Sequence, residues 1–113
     1  MNVFRIYSAL ARHSAESQRV SATNIAHADE AGYKAGRVES FQEYLSRTAH
    51  TNGAEAAAFK IADAGTPSSA NGNTVDLERE VFKSAEAVGQ HELALSVYTK
   101  SLDLLRAAIG KKI

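Results

Sequence analysis

The last third of the chain has the most regular hydrophobic pattern. Apolar residues recur there at alternating steps of four and three, the spacing that keeps side chains on one face of a helix. One of the two positions is aliphatic throughout: Val81, Val88, Leu95, Leu102 and Ile109. The other is apolar at three turns and polar at two: Leu77, Ser84, His91, Tyr98 and Leu105. This pattern predicts a long C-terminal helix over residues 74–113 with a narrow apolar stripe.

We expect this stripe to be a helix-packing interface. The apolar members of the two positions are Leu77, Val81, Val88, Leu95, Tyr98, Leu102, Leu105 and Ile109. The turn residues 71–74 precede the helix and supply side chains that can cap it, and Gly110 is a stop signal. At about 1.5 Å per residue the helix would be roughly 50 Å long. A domain of this size cannot cover a helix of that length. We therefore expect a partner to cover part of the apolar stripe.

The first 31 residues are predicted to form a second helix. Its apolar residues cluster in the first turns, around Phe4, and in the last, around Ile25. Between these clusters, small residues such as Ser14, Ser17 and Ser21 would have to lie on the inner face. They permit close approach but bury little, so neighbours must hold this helix in place.

The middle of the chain, residues 32–73, has no sustained period. Gly32 and Gly36 interrupt a helical pattern, and residues 38–47 can form a short amphipathic helix. Residues 48–73 favour an irregular connection, although the alternation around Phe59 and Ile61 fits a short extended segment laid against a neighbour. The predicted fold is therefore mainly α and a single domain: long terminal helices packed as a coiled-coil-like pair, joined by an irregular or partly extended middle.

Composition narrows the function classes. Thirteen Lys and Arg balance thirteen Asp and Glu, so no field of one sign would draw the chain to nucleic acid. The absence of cysteine excludes a disulfide framework and a cysteine nucleophile. No apolar run resembles the centre of a cleaved signal peptide or approaches a membrane span.

No catalytic, cofactor or metal site is expected. The four histidines lack paired metal-ligand spacing, and the one local cluster, His27 with Asp29 and Glu30, is read as a loop making ordinary hydrogen bonds. The acids Asp76, Glu78 and Glu80 open the C-terminal helix and are explained by its N-terminal dipole. No serine lies in a nucleophile elbow and no phosphate loop is present, so we expect neither an enzyme nor a small-molecule substrate.

Two segments carry a resemblance to a known family. The first runs from Asn24 to Lys34 and closes the N-terminal helix; the matching positions are Asn24, Ile25, Ala26, Ala28, Asp29, Gly32, Tyr33 and Lys34. The second opens the C-terminal helix; its positions are Gly72, Asn73, Thr74, Val75 and Asp76. Together they resemble the proximal rod proteins of the bacterial flagellar axial family, of the type called FlgB. Glu30 and Ala31 replace the Thr-Pro usual in the family, so the N-terminal helix is expected to run on to residue 31.

The resemblance implies a structural subunit of the flagellar basal body. Such a subunit leaves the cytoplasm through the flagellar type III export apparatus without a cleaved signal peptide, and joins the periplasmic rod. Its partners would be copies of itself, other rod proteins, and proteins of the membrane ring and export gate. Its role would be to transmit torque for motility.

Two alternatives stay open. One is the sister C-type rod protein, although that type is expected to carry a different segment before the C-terminal helix. The other is a small helical adaptor or chaperone that binds a partner helix in its stripe. The adaptor hypothesis explains the heptads but not the two segments.

Overall fold

A computed structural model describes residues 3–49 and 58–110. Five elements follow one another in these ranges: α1 (Val3–Ala26), β1 (Gly36–Val38), α2 (Phe41–Thr48), β2 (Ile61–Asp63) and α3 (Leu77–Gly110). The predicted helix ends at residues 1–2 and 111–113, and residues 50–57 of the connection, lie outside the described residues. No described helix is long and apolar enough to cross a membrane.

The mainly helical fold class is confirmed. The long helices α1 and α3 pack against each other and run antiparallel, because Phe4 meets Tyr98 at one end and Asn24 meets Glu80 at the other. α3 is ten residues longer than α1 and continues past Tyr98 beyond the start of α1. The molecule is therefore a rod, with extents of 67 × 28 × 15 Å.

The contact between α1 and α3 is built from small residues. Ala87 and Ala94 of α3 are buried, and so are Ala11, Ser14 and Ser21 on one face of α1. The expectation that serines would lie on the inner face of α1 is confirmed for these two, while Ser17 is half-buried. Small side chains let helix axes approach closely, but they remove little apolar area from water. The helix pair is therefore close-packed over a thin core.

The middle segment forms a small layer on α1. β1 and β2 pair antiparallel, with Arg37 opposite Ala62, and so the predicted extended segment at Ile61 is confirmed. α2 starts at Phe41, three residues later than predicted, because Gly36–Val38 is a strand. Its first turn is closed by a capping box in which Ser40 and Glu43 each accept the other's backbone N–H.

Both long helices are shorter than predicted. α1 ends at Ala26 rather than residue 31, and hydrogen-bonded turns follow it up to Gly32 at φ +75°. α3 begins at Leu77 rather than residue 74, and Asp76 caps it by accepting the backbone N–H of Arg79 at 3.2 Å. In each case, residues between the observed and the predicted helix end form hydrogen bonds with the segment next to the other helix.

Candidate assembly surface and the junction that orients it

The two segments that carry the family resemblance lie against each other. They are about 40 residues apart in sequence, yet main-chain hydrogen bonds join them. Gly32 N–H donates to the Asn71 carbonyl at 2.9 Å, and Thr74 N–H donates to the Tyr33 carbonyl at 2.9 Å. The Thr74 hydroxyl accepts Ala35 N–H at 2.8 Å. We call residues 24–36 and 71–76 together the junction.

Asn73 satisfies the end of α1. Its side-chain amide donates to the carbonyls of His27 at 2.9 Å and Glu30 at 2.6 Å, while its Oδ1 accepts Val75 N–H at 2.7 Å. Carbonyls beyond the last helical turn need such partners. The side chain thus ends α1 without the proline of the family pattern, which is the physical reason why the predicted extension to residue 31 is wrong.

Two glycines allow the segments to meet. Gly32 and Gly72 have φ of +75° and +83°, and a Cβ added to Gly72 would lie 3.4 Å from the Gly32 Cα. Larger residues disfavour that backbone conformation. The close approach also brings Lys34 Nζ to within 3.2 Å of the Gly72 carbonyl.

Asn24 is the centre of the junction and is almost fully buried. Its side chain pairs with both main-chain groups of Gly36, donating to the carbonyl at 2.8 Å and accepting the N–H at 3.1 Å. Its amide also lies 3.1 Å from each carboxylate oxygen of Glu80, and its Oδ1 lies 3.4 Å from the Tyr33 hydroxyl. One side chain therefore connects α1, β1 and α3.

Glu80 is buried beside the junction, which the acidic pattern at the start of α3 did not predict. The sequence explained it, like Asp76 and Glu78, by the dipole of the helix N-terminus, but its side chain is only 3 % exposed and has partners on α1. Besides Asn24, its carboxylate has Ser21 Oγ at 3.5 Å and Lys83 Nζ at 3.7 Å. A buried carboxylate is costly without such partners. The acidic pattern 76–80 could not reveal this, because the partners lie on α1.

His27 and the residues next to it in the junction make ordinary hydrogen bonds and packing contacts. His27 donates through Nδ1 to the Thr23 carbonyl at 2.7 Å and stacks on Tyr33 at 4.5 Å between ring centroids. Ile25 and Ala28 are half-buried, and Asp29 is exposed. In the described residues no three acidic or histidine side chains are grouped to hold a metal ion.

A second polar cluster fixes the middle segment on α1. His13 Nε2 donates to the Glu39 carbonyl at 2.6 Å, and the Glu39 carboxylate accepts Arg47 Nε at 3.2 Å and Lys60 N–H at 3.3 Å. The hydrogen bond from Arg47 is the main reason why the pKa of Glu39 is lowered, against the opposing effect of burial. Phe41 and Phe59 contact the His13 ring.

The apolar stripe of α3 is rotated away from α1. Within the chain, the buried positions of α3 are Glu80, Ala87 and Ala94, each one residue before the predicted Val81, Val88 and Leu95. Those three side chains are between 37 and 56 % exposed, and Leu77, Leu105 and Ile109 are also exposed. Tyr98 contacts Phe4, and Leu102 is half-buried. As an intrachain seam the prediction is wrong for the exposed residues; as an interface with another chain it stays a prediction.

The rotation has a steric reason. α1 offers a thin face of Ala and Ser, and alanines of α3 fit closest against it. The bulkier aliphatic side chains are displaced to the edge of that contact. We call Leu77, Val81, Val88 and Leu95 the uncovered stripe.

Comparison of the sequence with models of known protein families and with curated proteins gives no match.

Proposed function

We infer that this chain is a structural subunit of a helical assembly, and specifically a B-type proximal rod protein of the flagellar basal body. The observation that carries the proposal is the uncovered stripe on a helix whose start is held by the junction. Monomeric proteins rarely leave a row of large aliphatic side chains in water, and such rows mark protein–protein contacts. The resemblance of both junction segments to the rod family supplies the specific identity.

The thin core supports a role in assembly. Among residues 3–49 and 58–110, five of the seven buried hydrophobic residues are alanines, the others being Val20 and Tyr44. Such a core contributes little burial free energy for 113 residues. Association through the uncovered stripe would add the burial that the monomer lacks. Torque transmission also favours many moderate contacts along a lattice over one strong site.

The proposal includes partners and location. Copies of this chain and other rod proteins would cover the stripe, with proteins of the membrane ring and export gate at the base. The subunit would reach the periplasmic rod through the type III export apparatus. No catalytic step or small-molecule substrate is part of the proposal.

The test is to place a charge on the stripe. Leu95→Asp should abolish rod assembly and swimming, because a carboxylate within an apolar contact must be desolvated. Ser96→Asp is the matched control, since Ser96 is the exposed neighbour on the same helix. Normal swimming of the Leu95→Asp strain with normal protein levels would refute the proposal.

A helical adaptor is the second candidate, because the same uncovered stripe could receive a partner helix. Circular dichroism with sedimentation of the purified protein separates the two. The rod proposal predicts a poorly cooperative subunit, in keeping with the thin core. An adaptor should unfold cooperatively as a stable monomer or dimer.

A further inference from the structure

A cleft of about 520 Å³ opens between α1, α3 and the segment that joins β1 to α2. Apolar side chains, among them Leu10, Val20 and Phe41, line part of it. The cleft is separate from the uncovered stripe, none of whose residues line it. It is large enough to take one aromatic side chain and the groups beside it.

The cleft is cationic. Arg37, Arg79 and Lys83 line it, against the single acid Glu86. Lys83 lies 3.7 Å from the buried Glu80. The side chains of Arg37 and Arg79 are exposed and have no hydrogen bond or ion pair with any other residue in ranges 3–49 and 58–110. Two unpaired guanidinium groups beside an apolar wall favour an occupant that is apolar and acidic.

The chain itself carries such a group on the adjoining face of α3, outside the cleft. Phe82 is 66 % exposed, the largest exposed fraction among the described aromatic side chains. Glu78 lies one helical turn before it, also exposed, so the two share one face of α3. Neither residue lines the cleft. An aromatic anchor with a carboxylate beside it complements an apolar pocket with a cationic rim.

We propose that the cleft of one copy receives Phe82 and Glu78 of the next copy. Phe82 occupies the apolar part, and the Glu78 carboxylate pairs with Arg37 or Arg79. The proposed contact uses one cleft and one anchor, which makes it heterologous, and a heterologous contact that does not close into a ring propagates. This inference rests on the proposed assembly role and names a lateral contact for it, distinct from the uncovered stripe.

The test uses two variants of the purified protein, each with one surface disabled. Wild type should associate with increasing concentration in sedimentation velocity, and added salt should weaken the association. Arg37→Glu reverses a charge that lines the cleft, and Phe82→Ser removes the aromatic anchor. Each should lower the association constant at least about tenfold. An equimolar mixture should form a one-to-one dimer that grows no further, since only one intact cleft and one intact anchor can meet.

Lys100→Glu is the matched charge reversal, at an exposed site outside the cleft, and should associate like wild type. A wild type that stays monomeric, an Arg37→Glu variant that associates normally, or a mixture that forms no dimer would each overturn the inference. These outcomes are independent of the proposed function, because loss of swimming in Leu95→Asp depends on the other surface. Circular dichroism of each variant checks that it is folded.

Discussion

Replacing Asn24 by alanine tests the central claim about the junction. The change removes both hydrogen bonds to the Gly36 main chain and the bonds to the Glu80 carboxylate. Two neutral bonds contribute about 1 kcal/mol each, and one to a charged group about 1.5–3 kcal/mol. The expected loss is therefore about 3.5–5 kcal/mol, a large fraction of the 5–15 kcal/mol typical of small domains.

Native-state hydrogen exchange at the Gly32 and Thr74 amides, which join the two junction segments, measures this loss as a local opening free energy and needs no sharp global transition. Gln18→Ala is the control. Gln18 is a half-buried residue of α1 whose side chain makes no hydrogen bond among the described residues. Its replacement should change the stability by less than about 0.5 kcal/mol. A double-mutant cycle with Glu80→Ala should give a coupling of about 1–3 kcal/mol, because the two side chains are in direct contact. Asn24→Ala stability within about 0.5 kcal/mol of wild type, or additive single changes, would refute the reasoning.

Two further predictions concern the turn glycines and pH. Gly72→Ala should destabilise by about 1–2 kcal/mol, because φ is +83° and the new Cβ meets Gly32; Gly89→Ala, on α3 with open space around it, should stabilise by about 0.5–1 kcal/mol. Equal effects in thermal unfolding would contradict this. The folded-state pKa of Glu39 is lowered from an ordinary value of 4.5, so its stabilising contribution is present above that pH and is lost as pH falls through the lowered pKa. Glu39→Gln should flatten this acid limb in unfolding measured across pH, and an unchanged limb would count against the role of Arg47.

Several local features were predictable from neighbours in sequence. The periodicity of the last third indicated a long helix, and α3 is a 34-residue helix there, since steps of three and four residues keep apolar side chains on one helical face. The small residues of α1 indicated that another element packs closely against this helix but that little apolar area is buried there. Ser14 is an example, because it is almost fully buried and yet has a small, polar side chain. The alternation at Ile61 indicated a strand. Each depends on spacing or on the properties of a few adjacent side chains.

Other features depend on partners that are distant in sequence. Glu80 belongs to an acidic helix start by its sequence, yet it is buried because Asn24 and Ser21 meet it from α1. Asn73 ends α1 from a segment more than 40 residues away. Only the folded chain brings these pairs within hydrogen-bond distance, and so neither pattern nor propensity could assign them.

The uncovered stripe on α3 depends both on the local sequence pattern and on the tertiary packing. The sequence by itself determined that Val81, Val88 and Leu95 share one face of a helix, because a helix repeats about every 3.6 residues. Which face meets α1 was decided by the tertiary structure: Ala87 and Ala94 allow the closest packing against the small residues of α1, and this turns the larger side chains outward. The heptad pattern therefore identified which residues form the stripe, and the packing of α3 on α1 left their side chains exposed.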